Sequence, residues 1–305
     1  MNLTVDRPEN CVQDRSEQRR PWLSVIIPAY NAADTLAAQL DALKAQTYSG
    51  DWEIVVVDNG STDGTAALVR EYQRSMPHLR LVHAPEVRGR AYACNVGAQA
   101  ARGDALAFCD ADDVADPGWL SALAEALEEH EVVAGAIEVH KLNQSAPWRP
   151  APFVSATEPV LDFLPYASGT SFALSREAFE AVNGFSVGIP PCEDIDISWR
   201  LQLAGYTLHD APSAVMHCRY RSSLRGLWKQ TVTYAEAHVF LYKRFRAYGM
   251  PRSSIRQALR RYGWLLRRLP RLHRVSRRGR IKWLRTLALC WGRLRGSLRY
   301  RTLYL

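Results

Sequence analysis

The feature that most constrains this chain is a rhythm. From residue 22 to about residue 140, short apolar runs alternate with segments of helical spacing. "LSVIIPAYN", "WEIVVVDNGSTDGT", "LRLVHAP", "ALAFCDADD" and "EVVAGAIEVH" are rich in β-branched or small apolar residues. Between them lie "DTLAAQLDALKAQ", "TAALVREYQRSM", "GRAYACNVGAQAARG" and "GWLSALAEALEEH", whose apolar positions recur at three and four residues. Such alternation predicts βαβ units around a mostly parallel sheet flanked by helices. In open sheets of this kind, ligands bind beyond the C-terminal ends of the strands. Three polar clusters fall at such ends: Tyr30 and Asn31, then Asp58 to Ser61, then Asp110 to Asp113.

The densest cluster puts Asp110, Asp112, Asp113 and Asp116 within seven positions. Carboxylates this close repel unless a cation or protons compensate. Mg²⁺ is met by one or two protein carboxylates together with phosphate oxygens. Extended residues two apart point the same way, so Asp110 and Asp112 address one ligand while Asp113 turns aside. Asp116, before Pro117, reads as the cap of the helix that follows. Asp58 ends a buried strand, where a carboxylate needs a donor; a bound base N–H and backbone amides are both candidates. Tyr30 can cover a planar ring or pack with a wet hydroxyl. Arg88 and Arg90 stand at a helix start with Asn95 following, a setting suited to phosphate.

Further along, "CEDIDISWRLQLAGY" opens a helix with Glu193, Asp194 and Asp196, and Gly205 follows its end. Acidic residues favour a helix N-terminus, yet one would suffice, and a carboxylate held at a crevice can serve as general base. Arg200, six residues beyond Asp194, is no same-face partner for it. His217 follows an apolar "AVM" and reads as a packed residue or a metal or diphosphate contact. The Pro-rich stretch from Asn143 to Tyr166 reads as a long loop or insertion.

Charge is unevenly spread. Of 39 Lys and Arg, 20 lie from Lys243 onward, where there is no Asp or Glu; the residues before carry 19 basic and 31 acidic groups. A basic tail on an acidic body suggests an anionic partner such as a membrane surface, nucleic acid or the body itself. Arg mixed with Trp, Leu and Tyr suits an interfacial helix on anionic lipid. Pro270, Gly279, Gly292 and Gly296 predict that this tail breaks into short helices. Six scattered cysteines without a CxxC pair exclude zinc spacing and a disulfide framework. With no signal peptide and no apolar run of ~20 residues, the expectation is a cytoplasmic protein, peripheral on the inner face of the membrane.

The segments "SVIIPAYNAADTL", "EIVVVDNGSTDGT", "RGRAYACNVGAQAARGDALAFCDADDVADPGWL", "GTSFALSREAFEAVNGF" and "EDIDISWRLQLAGY" together resemble, in order, the family 2 glycosyltransferases of the GT-A fold. The resemblance covers roughly residues 22 to 245. It implies a Rossmann-like nucleotide-binding half (21–140) and an acceptor and catalytic half (141–245). The polar residues 1–20 read as a disordered segment, and residues 246–305 as a basic helical extension that the resemblance does not explain. The resemblance further implies a nucleotide-sugar donor, a hydroxyl acceptor on a carbohydrate or glycolipid, Mg²⁺ or Mn²⁺, and inverting transfer. Position by position, Pro28, Ala29 and Tyr30 border the base and Asp58 reads its edge. Arg90 lies near the nucleotide, and Asp110, Ala111 and Asp112 form the D-x-D motif with Asp112 on the metal. Asp194 is the catalytic base, with Glu193 as its rival. Two other readings stand beside this one. A nucleotidyltransferase would share the sheet and acidic site. A nucleic-acid-binding protein would use the tail, but it leaves three acidic strand ends unexplained, and no nucleic acid is expected as partner.

Overall fold

In the computed structural model, residues 21–144, 153–154, 159–220 and 223–305 are described. The expectation of disorder over 1–20 lies outside them. The first strand, β1 (Leu23–Ala29), is buried along almost its whole length. A strand covered on both faces needs apolar residues at successive positions, and "LSVII" supplies them. It pairs in parallel with β2 (Trp52–Asp58) and β4 (Ala105–Phe108), and β2 pairs in parallel with β3 (Leu79–His83). Helices α1 (Leu36–Lys44), α2 (Thr65–Gln73) and α3 (Arg90–Ala100) connect these strands. Side chains alternate across the sheet. Val25 and Ile27 join Leu36, Leu40 and Leu43 of α1 on one face, and Ile26 joins Ala93 and Cys94 of α3 on the other.

The second half is mixed. After β4 come β5 (Val114–Ala115), α4 (Trp119–Glu129), β6 (Val132–Glu138), the short β7 (Phe153–Val154), β8 (Phe172–Ser175), α5 (Arg176–Ala181), α6 (Glu193–Leu203) and β9 (Leu208–His217). Among the described residues the sheet runs β3-β2-β1-β4-β8-β6-β9-β5, with β7 on β6. Strand β8 is antiparallel to β4 and β6, while β9 is parallel to β6. The mostly parallel expectation therefore describes the first half, and β8 reverses direction in the second. Inside the Pro-rich stretch, β7 is a strand that no periodicity announced.

Three helices follow: α7 (Leu224–Phe245), α8 (Ile255–Arg268) and α9 (Arg277–Arg299). The tail is not the set of short segments expected from its glycines. Pro270 does lie in a break between α8 and α9, but α9 runs unbroken through Gly279, Gly292 and Gly296. A Cβ on Gly292 would lie 2.5 Å from the Val232 carbonyl oxygen, and one on Gly296 would lie 2.8 Å from Val239. These two glycines permit α9 to approach α7 closely, and the packing outweighs their cost of ~1 kcal/mol each in a helix. Arg295 reaches Glu236 of α7 at 2.9 Å. A third core of Trp199, Val239, Leu241, Phe245 and Tyr304 ties α6, α7 and the C-terminal residues together.

Candidate active site

Strand β4 delivers the chain into the acidic turn as the sequence suggested. Carboxylate oxygens of Asp110, Asp112 and Asp113 all lie within 4.8 Å of one another. Asp113 does not turn aside. The chain forms a turn here rather than an extended strand, so the two-residue alternation no longer applies. Asp113 is buried; its Oδ1 accepts from the Arg219 amide at 2.9 Å, and its Oδ2 is buried with no hydrogen-bond partner of ordinary geometry among the described residues. Burial and the neighbouring Asp110 charge push this carboxyl up to about 8. Gln39, fully buried on α1, braces the turn: Nε2 donates to the Asp110 carbonyl, and Oε1 accepts from the Ala115 amide. Asp116 accepts from the Gly118 amide at 3.3 Å, and α4 begins at Trp119, two residues later than Pro117.

Arg90 occupies the first position of α3, after Gly89 at φ 137°. Its Nε donates to Asp110 Oδ1 at 2.9 Å and its Nη2 to the Gly169 carbonyl at 2.6 Å, while Nη1 lies 3.9 Å from Glu193. Burial opposes its charge, but Asp110 and Glu193 more than offset this and raise its pKa. Gly169 also donates its amide to Asp194 Oδ2 at 3.3 Å, and the Ile195 amide donates to Oδ1 at 2.8 Å. Burial and Glu193 push the Asp194 carboxyl up to about 6, against the pull of Arg90. One guanidinium thus stands between the acidic turn and the acids that open α6. The third of those acids has another role. Asp196, fully buried, takes Arg200 at 2.8 Å and Arg244 of α7 at 2.9 Å, and so fastens α6 to α7.

Two concave spaces meet at this guanidinium. A groove of about 600 Å³ is lined by Pro28, Ala29, Tyr30, Arg88, Ala111 and others, and a cavity of about 410 Å³ by Tyr166, Glu193, Asp194, Tyr234 and others. Both share Arg90, Asp110 and Asp112. Arg88 lies 3.7 Å over the Tyr30 ring. Asp58 is buried and outside the groove lining. Its donors are the Ser61 amide at 2.9 Å and His83 at 3.3 Å, so the backbone supplies the partner that this strand end required. The adjacent Asn59 is in the lining and accepts from the Gly89 amide at 2.9 Å, which sets the turn that launches Arg90. Asn95 bonds the backbone of Phe185 with both ends of its amide.

His217 stands apart from the three-carboxylate cluster. Its Nδ1 lies 2.9 Å from Glu138, and its Nε2 lies 3.1 Å from Lys141 Nζ and 3.5 Å from Asp116. In this arrangement the ring is engaged on both edges, by Glu138 on one and by Lys141 and Asp116 on the other. Gln39, Tyr166, Gly169 and Tyr234 were not singled out by sequence. A glutamine on an apolar helix face was the one signal that pointed inward.

The sequence model described as glycosyl transferase family 2 matches residues 24–182, and that described as glycosyl transferase family group 2 matches residues 106–299. The chain belongs to the family 2 glycosyltransferases. Glycosyltransferase AglE of Haloferax volcanii is 39% identical over 101 residues, 33% of each chain. Poly-beta-1,6-N-acetyl-D-glucosamine synthase of Staphylococcus aureus is 26% identical over 235 residues, 73% of this chain and 56% of that one. The matched segments span about a third of the length of the first curated relatives. Among solved structures, mannosyltransferase PcManGT from Pyrobaculum calidifontis in complex with GDP-Man and Mn2+ superposes with a TM-score of 0.58. It is 24% identical, with 92% of this chain and 75% of that chain covered. S. aureus TarS 1–349 in complex with UDP-GlcNAc gives 0.56 at 18% identity, with 93% of each covered. The glycosyltransferase thus has the GT-A fold with a helical C-terminal region. Its family membership favours glycosyl transfer over the nucleotidyltransferase and nucleic-acid readings.

Proposed function

We propose that this glycosyltransferase moves a sugar, with inversion, from a nucleoside diphosphate sugar to an acceptor hydroxyl in the synthesis of a surface polysaccharide or glycolipid. The observation that carries the reading is the meeting of two spaces at Arg90, Asp110 and Asp112, with Asp194 on the far side. The groove beside Tyr30 suits a nucleotide, whose base lies along Pro28, Ala29 and Tyr30. Asp110 and Ala111 border the ribose and Asp112 the diphosphate. The cavity beside Asp194 suits the acceptor.

Three convergent carboxylates, one with a buried oxygen that has no hydrogen-bond partner of ordinary geometry among the described residues, fit a hard divalent cation such as Mg²⁺ or Mn²⁺. When bound through Asp112, that cation offsets charge on the departing diphosphate. Asp194 removes the acceptor proton as the hydroxyl attacks the anomeric carbon from the face opposite the leaving group. A base with its pKa near 6 is ionised at neutral pH and still accepts a proton readily. Burial, and then Glu193 held beside Arg90, keep the Asp194 pKa raised. Arg90 fixes Asp110 toward the donor and Gly169 toward Asp194. The enzyme works as a peripheral protein on the inner face of the membrane, where its basic tail meets anionic lipid.

A panel of nucleoside diphosphate sugars with Mg²⁺ or Mn²⁺ tests the reading. At least one donor releases free nucleoside diphosphate and an inverted product. Release of pyrophosphate from a nucleoside triphosphate would instead establish nucleotidyl transfer.

A further inference from the structure

Among the described residues no helix is long and apolar enough to cross a membrane. Yet the C-terminal helices leave large apolar side chains in water. On α8, Ile255, Leu259 and Leu266 recur at four and seven residues, and Leu259 and Leu266 are 66% and 70% exposed. On α9, Trp291, Leu294 and Leu298 recur at three and four, and Leu298 is 74% exposed. Each set is one helical stripe. The glycines of α9 that meet α7 lie on a different side of that helix, as do Ala258 and Leu265 on α8, which are buried.

The two stripes face the same way. Trp283 Nε1 donates to the Leu265 carbonyl, while further along α9 Cys290 neighbours Tyr262 and Arg293 neighbours Arg261. The helices are therefore antiparallel. With about 3.6 residues per turn, each stripe lies roughly a quarter-turn from the seam between them, on a common side. Arg256, Arg260 and Arg267 follow the outer flank of the α8 stripe, and Arg271 and Arg274 continue in the connection to α9; all are exposed. No arginine of α8 forms an ion pair among the described residues, whereas Arg295 and Arg299 of α9 share Glu236. Helix α7, against which α9 packs, lines the acceptor cavity through Gln230, Tyr234, Ala237 and His238. His238 in its lining is held at a pKa of about 3 by burial and by the charges of Arg293 and Arg261.

We infer that the paired stripes of α8 and α9 form one face that lies in the interface of an anionic bilayer, with the α8 arginines on lipid phosphates. The inference deepens the proposed peripheral role and rests on it, replacing a diffuse basic tail with a defined apolar face. An apolar stripe beside a row of unpaired cations is the pattern of an interfacial helix, and the cation row favours a lipid surface over a second copy of this equally basic face.

The test is co-sedimentation of the full chain with phosphatidylcholine vesicles, with and without phosphatidylglycerol. The wild-type chain binds the anionic vesicles, and Leu259→Asp with Leu266→Asp weakens that binding roughly tenfold or more. Brominated lipid quenches the fluorescence of the wild type but not this component in Trp291→Phe. Donor hydrolysis and the melting temperature of the leucine variant stay at wild-type values, because both side chains are exposed. Leucine variants that bind as tightly as wild type would leave only a solvated basic tail and overturn the apolar face. Absence of vesicle binding, together with a dimer that the same variants dissolve, would assign the stripes to a second copy and overturn it too. Leucine-dependent vesicle binding in a protein that uses no sugar donor would keep this inference and refute the transfer reaction.

Discussion

Gly169 offers a sharp probe of the site, because a single methyl group there acts on three charged residues at once. A Cβ at this position would lie 2.5 Å from Arg90 Nη2 and 2.7 Å from Cζ and Nη1. Ordinary contact between such atoms begins near ~3.5 Å, so the guanidinium must retreat by about 1 Å. That retreat breaks the 2.6 Å bond to the Gly169 carbonyl and strains the 2.9 Å bond to Asp110. Hydrogen bonds to charged groups contribute ~1.5–3 kcal/mol each, and a misplacement of ~1 Å at a reacting centre costs on the order of 10²-fold. Gly169→Ala is therefore expected to lower kcat/KM about 10²-fold, with a fall of a few degrees in Tm. The φ of Gly169 is not in the left-handed region, so alanine adds no backbone strain. Gly118→Ala is the control, since its nearest neighbour would be 4.0 Å away. The assay follows released nucleoside diphosphate under steady-state conditions. A kcat/KM within about threefold of wild type would refute the role of Arg90 as the link between the two acidic groups.

Four further outcomes follow from the same geometry. Asp194→Asn leaves donor affinity by calorimetry intact and lowers kcat on the order of 10³-fold; undiminished turnover removes Asp194 from the base role. Since Asp194 must be ionised to accept a proton and its pKa is raised to about 6, the wild-type rate falls as pH drops through about 6, and a flat rate below that value contradicts the assignment. Asp112→Ala weakens donor binding in the presence of Mn²⁺ but not in chelator, and equal affinities in both variants and both conditions count against it. Gly292→Val drives a side chain into the Val232 carbonyl, so thermal denaturation shows a loss of several degrees, and an unchanged Tm would deny the close α7–α9 contact.

Much of this site was legible along the chain because strand ends deliver side chains to predictable places. The acidic turn after β4, the Tyr30 turn after β1 and the acids opening α6 were all found from local pattern. Asp58 was located at its strand end, but whether base or backbone satisfied it was a question of what folds over it, and the Ser61 amide and His83 do so here. Asp113 was misplaced because side-chain alternation belongs to extended chain, and the chain turns there.

The sequence by itself determined the βαβ rhythm, the family, and the carboxylates available for chemistry, because hydrophobic period and strand-end position are local properties. Only the tertiary structure decided which of those charges meet. Arg90, Gly169 and Asp194 are separated by 79 and 25 positions, and no local pattern records a contact made by sheet order. The same holds for the tail. Glycines that predict helix breaks in isolation lie within one continuous helix, because α7 is close enough that a side chain at Gly292 or Gly296 would collide with it.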